Sequence, residues 1–517
     1  MTFEIVFVLL SLLGMVAALV ADKMRPGMIL FSVVVLFLCA GILTPKEMLE
    51  GFSNKGMITV ALLFLVSEGI RQSGTLGQVI KKLLPQGKTT VFKAQLRILP
   101  SVAFISAFLN NTPVVVIFAP IIKHWAKSVN LPATKFLIPL SYVTILGGIC
   151  TLIGTSTNLV VHGMILEAGF EGFSMFELGK VGVFIAIAGI IYIFLFSKRL
   201  LPDARPDTAV PDEEVEEGEK LHRVEAVLGA RFPGINKKLK DFNFQRHYGA
   251  EVKEIKTRNG QRFVTNLDDV VLHEGDTLVV MADDTFIPTW GESSVFVLLT
   301  NGNEPDTSGK KKRWFALLLL VLMIVGATVG ELPVTKEMFP DIKLDMFFFV
   351  SITTIIMAWT NLFPARKYTK YISWDILITI ACAFAISKAM VNSGVADSVA
   401  KFIIGLSDDY GPHVLLAMVF IITNLFTELI TNNAAAALAV PLALSISAQL
   451  GVSPTPFFVV ICMAASASFS TPIGYQTNLI VQGIGNYKFT DFVRIGLPLN
   501  IITFLISVIL IPLIWNF

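Results

Sequence analysis

Leu109-Asn110-Asn111-Thr112-Pro113 interrupts one apolar run, and Ile430-Thr431-Asn432-Asn433-Ala434 interrupts another about 320 positions later. Both stretches are hydrophobic enough for a bilayer, where Asn and Thr side chains find no water and mark either a site or a helix–helix contact. Around them the 517 residues are 54% hydrophobic, more apolar surface than a soluble domain can bury, so lipid is the main solvent. The expected fold is an all-α polytopic membrane protein.

Working outward, the first block, Ile98–Ile122, is flanked by Lys93 and Arg97 before and by Lys123 and Lys127 after. A segment with basic residues at both ends enters and leaves on one side, so it is expected to be a re-entrant hairpin. Spans long enough for about 30 Å of hydrocarbon surround it at Phe3–Val20, Gly27–Leu43, Met57–Ile70, Leu137–Gly163 and Val181–Phe196. After a polar interval, further spans are expected at Trp314–Val329, Phe347–Leu362, Trp374–Val391, Phe457–Gly483 and Ile495–Ile514, with the second interrupted block at Val414–Ile446. Each half thus holds about five spans and one hairpin. Glu4 near the start and the absence of a small-residue cleavage site favour a first span over a signal peptide.

The net charge of +2 says little, but the placement of Lys and Arg does. Lys23, Arg25, the series from Arg71 to Arg97, Lys123 to Lys135, and Lys198-Arg199 all fall on one side, which the positive-inside rule makes the cytoplasm of a cell inner (plasma) membrane. The second block then enters from the opposite face. The four cysteines stand singly in apolar spans without paired spacing and are packing residues.

The halves repeat at an offset of 320 or 321: Asn111 with Asn432, Pro120 with Pro441, and Thr157-Asn158-Leu159 with Thr477-Asn478-Leu479. An odd number of crossings separates equivalent elements, so the copies are inverted. Paired interrupted segments in an inverted repeat are the sequence signature of a secondary transporter that binds its cargo near the midplane. Thr112-Pro113, Asn433, Thr157-Asn158 and Thr477-Asn478 read as helix starts. Four converging N-termini present free N–H groups and partial positive charge, a site for an anion without Lys or Arg. Carbonyls at Gly154 and Gly474, with Asn and Thr oxygens, suit Na⁺.

Residues 1–200 and 313–517 form the two membrane halves, with hairpins near 98–122 and 414–446. Between them lie an acidic linker (201–220, including Asp212-Glu213-Glu214-Val215-Glu216-Glu217), a small α/β domain (221–285) and a second linker (286–312). In the domain, Tyr248-Gly249-Ala250-Glu251-Val252 and His273-Glu274-Gly275-Asp276-Thr277-Leu278-Val279-Val280 resemble the C-terminal regulatory module of RCK domains. That resemblance implies a cytoplasmic regulatory module able to bind a small ligand, cyclic di-AMP or another nucleotide.

At the tips and at the turns Gly154-Thr155-Ser156-Thr157-Asn158 and Gly474-Tyr475-Gln476-Thr477-Asn478, the chain resembles the divalent anion–sodium symporter family of sulfate and dicarboxylate carriers. Each tip keeps that family's central Asn and alters a neighbour, and the turns lack its paired prolines. The resemblance implies Na⁺ at Ser106, Asn110, Asn111, Gly154, Thr427, Thr431, Asn432 and Gly474. It implies anion contact at Asn111, Thr112, Thr155, Ser156, Thr157, Asn158, Asn432, Asn433, Tyr475, Gln476, Thr477 and Asn478, and elevator-type motion within a homodimer. An RCK-type insertion between the halves is similar to the sulfate branch.

No phosphate-binding loop, metal-ligand spacing or nucleophile–base pattern is present, which argues against an enzyme, and nothing points to nucleic acid. The expected function is Na⁺-coupled symport of a small divalent oxyanion, with sulfate foremost. The alternatives are a dicarboxylate carrier, or a cation–proton exchanger using Glu428, on the same fold. A gated channel is disfavoured because no carbonyl filter or charge ring is recognisable.

Overall fold

The computed structural model describes residues 3–21, 24–85, 87–203, 222–229, 232–257, 261–283, 286–290, 295–300, 310–339, 341–405 and 411–517. The acidic stretch 212–217 lies outside them. The protein is mostly helical, and among the described residues eight helices are long and apolar enough to cross a membrane. Its helices invert the soluble pattern. On Gly179–Leu200, Phe184, Ile187, Ile191 and Leu195 form an exposed stripe at helical spacing, while Val181, Ile185, Gly189 and Ile193 are buried. An apolar stripe facing outward on one face is what lipid contact requires.

Each interrupted block is a pair of helices: Val91–Ser106 with Asn111–Ser128, and Gly411–Leu429 with Asn432–Leu450. Two further spans are broken in the middle, into Leu137–Gly148 and Ser156–Glu167, and into Thr455–Ser466 and Gln476–Gly485. The two halves of the chain interleave. Trp374–Asn392 packs on Pro26–Cys39, Met346–Trp359 on Lys55–Gln72, and Gly179–Leu200 on Phe489–Ile514.

Four helix starts fall one or two residues before the expected positions. The caps are Asn110, Thr155, Thr431 and Tyr475, so Pro113 occupies the third helical position. Its missing N–H costs nothing there, because none of the first four N–H groups has an intrahelical partner.

The inserted module is a five-stranded antiparallel sheet in the order β3-β2-β4-β1-β5, with β1 His222–Leu228, β2 Glu251–Lys256, β3 Arg262–Phe263, β4 Thr277–Ala282 and β5 Phe296–Thr300. Phe232, Phe242, Phe244, Tyr248 and Phe296 close its core. The expected linker 286–312 is corrected here: it holds the helix Phe286–Trp290, the edge strand β5 and the start of Lys310–Gly330. A five-residue apolar run has too little periodicity to distinguish strand from helix.

The module rests on two membrane helices. Lys123 Nζ, on Asn111–Ser128, donates to both Glu225 carboxylate oxygens of β1 at 3.0 Å, and Lys256 Nζ reaches Glu225 at 3.4 Å. On the helix Gln476–Gly485, a Cβ at Gly483 would lie 2.6 Å from Thr277 Oγ1 and 3.2 Å from the Gly275 carbonyl, so only Gly admits the sheet so closely. Val227 of β1 belongs to the same apolar cluster as the membrane helices. Burial pushes the Glu225 carboxyl up, but Lys123 and then Lys256 outweigh it and hold the group at about 2. A depressed carboxyl stabilises the seat above its unfolded value near 4.5 and loses that contribution as pH falls toward about 2. Seating is therefore expected to be constant from pH 8 to 5, as read by protease protection of the module.

Candidate functional site

The two tips and the two breaks meet, and they meet crosswise. Asn111 is fully buried; its Oδ1 accepts from Ser106 Oγ at 2.7 Å and its Nδ2 donates to the Tyr475 hydroxyl at 2.6 Å, 364 positions away. Thr112 Oγ1 donates to Gln476 Oε1 at 3.3 Å. In the other direction, Asn432 Nδ2 donates to Thr157 Oγ1 at 2.7 Å, and Ser156 Oγ and Thr157 Oγ1 donate to Asn433 Oδ1 at 3.2 and 3.4 Å. The first tip thus touches the second break, and the second tip the first.

Behind this crossing, equivalent residues make equivalent bonds. Asn158 Nδ2 donates to the Thr151 carbonyl at 2.9 Å, and Asn478 Nδ2 to the Thr471 carbonyl at 3.1 Å. Thr151 Oγ1 donates to the Ala107 carbonyl, and Thr471 Oγ1 to the Glu428 carbonyl. Each hydroxyl also accepts a glycine N–H, from Gly154 at 3.2 Å and from Gly474 at 3.4 Å. These bonds tie each loop to the root of its own hairpin and satisfy backbone that the broken helices free. Asn158 and Asn478 therefore spend their amides on the loops. Ser141 Oγ, 2.8 Å from Thr477 Oγ1 and 2.7 Å from Asn478 Oδ1, pins the second break further; sequence reasoning missed Ser141, which has no repeat partner to signal it.

The caps at the four helix starts bear on the chemistry. Elsewhere, Asn54, Thr90 and Asp345 cap their helices with side-chain bonds. Asn110, Thr155, Thr431 and Tyr475 make none. Their helices start beside neutral polar side chains, with one first-turn N–H, that of Asn433, taken by Asn432 Oδ1 at 3.0 Å; the remaining N–H groups favour an anion by the ends of the helix dipoles.

The expected cation positions gather oxygen. At Gly148, a Cβ would lie 2.7 Å from Asn111 Oδ1 and 3.2 Å from the Gly154 carbonyl, so these two oxygens and Ser106 Oγ share one corner. In the second half, a Cβ at Gly474 would overlap both the Thr427 carbonyl and Ser468 Oγ. In the same half, Thr431 Oγ1 and Ser466 Oγ are buried without hydrogen-bond partners. Neutral, hard oxygen donors suit a small monovalent cation such as Na⁺. Asn110 is half-buried, and its side chain makes no cap bond.

Glu428 is engaged by neutral donors: the Ser470 N–H at 2.9 Å, Asn500 Nδ2 at 2.7 Å and Ser468 Oγ at 3.4 Å. It ties the second hairpin to the last helix.

Comparison with known proteins places the chain among transporters. The family model described as citrate transporter matches residues 16–448 and, in a second alignment, 342–517. An uncharacterized transporter of Synechocystis sp. is 30% identical over 94% of this chain and 93% of its own length. Sodium/sulfate cotransporter 1 of Chlamydomonas reinhardtii is 22% identical over 93% of this chain and 86% of its own. The crystal structure of the Alcanivorax borkumensis YdaH transporter superposes with a TM-score of 0.52, covering 99% of this chain and 98% of its own at 12% identity, a likeness of fold.

Proposed function

This chain belongs to the citrate transporter family and to the divalent anion–sodium symporters, and on that premise we propose that it couples Na⁺ entry to uptake of a small divalent oxyanion, sulfate foremost. Family and relatives are transporters rather than enzymes, and the chain is a secondary transporter of anions. The observation that carries the finer reading is the crosswise meeting of tips and breaks, with four uncapped helix starts around neutral donors.

The matched bonds of Thr151 with Thr471 and of Asn158 with Asn478 support an inverted repeat with two re-entrant hairpins. Ser106, Asn110, Asn111 and Gly154, and Thr427, Thr431, Asn432 and Gly474, would hold Na⁺, which neutralises the anion's charge beside it. Thr112, Thr155, Ser156, Thr157, Asn433, Tyr475, Gln476 and Thr477 would line the anion, with Asn158 and Asn478 shaping its loops. In this reading the hairpin-bearing body slides, within a homodimer in the inner membrane, against helices such as Lys55–Gln72 and Trp374–Asn392. Glu428, tied to Ser470 and Asn500, serves to hold the second hairpin, which disfavours a cation–proton exchanger.

The test is uptake of labelled sulfate into proteoliposomes with and without an inward Na⁺ gradient. Na⁺-stimulated uptake blocked by thiosulfate and molybdate is the expected result; succinate uptake, or proton flux without anion uptake, would sink it.

Regulation through the module, placed in the cytoplasm by the basic loops, is part of the proposal. A small ligand such as cyclic di-AMP would act through the seat, which grips two of the four site-bearing helices. Glu225→Lys brings a third cation to Lys123 and Lys256 and is expected to unseat the module and change uptake about 5-fold. Lys123→Glu combined with Glu225→Lys restores one pair and much of the rate, since like charges in a part-buried contact cost on the order of 2 kcal/mol. Equal uptake by all three proteins would remove the seat from regulation.

A further inference from the structure

Thr155 and Tyr475 hold the same place in their two halves, 320 positions apart. Both are extended N-caps, with φ −140° and ψ 147° at Thr155 and φ −136° and ψ 130° at Tyr475. Related by the repeat, they meet: Thr155 Oγ1 lies 2.9 Å from the Tyr475 hydroxyl. One half brings a two-carbon side chain to this meeting and the other a phenol. The side chain is 7% exposed, and its oxygen takes a hydrogen bond from Asn111 Nδ2 at 2.6 Å. The central asparagine of the first tip thus points at the phenol oxygen of the second break. With the Asn111 amide donating to it, the phenol has its own proton to give to Thr155 Oγ1.

We propose that Tyr475 sets the size of the anion. This rests on the oxyanion reading above. A tetrahedral dianion carries both charges on oxygens around one atom, whereas a four-carbon dicarboxylate needs room for a second carboxylate several bonds away. The phenyl ring fills that room beside the first tip. The hydroxyl, held by Asn111, turns its proton from Thr155 to an oxygen of the small anion. No basic residue takes part, so selection rests on volume and on one directed donor. A filled pocket discriminates about 10- to 100-fold by size alone, and a buried hydroxyl left without its partner adds to that.

The test uses full-length protein in proteoliposomes. Wild-type sulfate uptake is measured first; its failure is a failure of the oxyanion reading and shows before any variant is compared. Tyr475→Ala is then expected to gain succinate uptake about 10-fold over wild type and to lose sulfate uptake about 10-fold. Tyr475→Phe keeps the ring and is expected to keep excluding succinate, with the KM for sulfate raised about 10-fold. A folded Tyr475→Ala protein, judged by Na⁺-dependent thermal shift, that still refuses succinate overturns the proposal. Should that variant not fold, competition on wild type and Tyr475→Phe decides: oxalate, malonate and succinate must compete progressively less well than thiosulfate, and succinate competing as well as thiosulfate overturns it.

Discussion

Asn111→Ala is expected to cut sulfate uptake about 100-fold and to flatten its dependence on Na⁺, while the protein stays folded. The side chain is fully buried and joins two functions: its oxygen faces Ser106 and the Gly154 corner, and its amide holds the Tyr475 hydroxyl. Truncation orphans the Ser106 hydroxyl and leaves the Tyr475 hydroxyl with Thr155 alone. At about 1–3 kcal/mol for the buried unsatisfied group and about 1 kcal/mol for the lost bond, the two together correspond to about two orders of magnitude. Asn432→Ala leaves a half-buried site and takes from Thr157 Oγ1 its shorter bond, leaving the one to Asn433, so about a 10-fold loss is expected there. Initial rates against Na⁺ concentration provide the check. Unchanged Na⁺ activation in both variants would remove these residues from the cation positions.

Gly474→Ala is expected to abolish transport at a modest cost in stability. A Cβ there overlaps the Thr427 carbonyl, which is backbone and cannot turn away, as well as Ser468 Oγ. The loop must then move off the root of the second hairpin, loosening the Gly474–Thr471 bond and the Thr471–Glu428 bond behind it. Overpacking of this kind costs about 1–3 kcal/mol, and because the displaced loop leads into the helix at Gln476, transport is expected to be lost altogether. Thermal unfolding in detergent and sulfate uptake, measured together, separate the two effects. A variant with near-normal stability and transport would show that the break tolerates a second conformation.

Much of this was legible because polarity in hydrocarbon is conspicuous. Asn111, Asn432 and the turns beginning at Gly154 and Gly474 stand out in apolar runs, and the breaks in their helices follow. The starts were misplaced by a residue or two for an informative reason. Thr112-Pro113 and Asn433 have the residue types that cap helices with their side chains, yet the caps at the site, Asn110, Thr155, Thr431 and Tyr475, bond no N–H with theirs. Propensity describes helices whose cap residue closes the end; here no cap side chain does, and only Asn432, inside its helix, takes a first-turn N–H. The crossing of tips onto opposite breaks was beyond reach, since Asn111 and Tyr475 are joined only by the packing of two halves. Ser141 and the strand β5 left no pattern to find, one lacking a repeat partner and the other too short to show a period.

The seat of the module also has a mechanical side. Lys123–Glu225 and Gly483–Thr277 fasten a folded, charged sheet to two of the four helices that start at the site. Under the sliding motion proposed above, those helices are the piston, and the sheet is a flange that cannot follow them into hydrocarbon. The length of the stroke is then fixed at the water–lipid boundary: the piston travels until the flange meets the headgroups, and farther only once it has come loose.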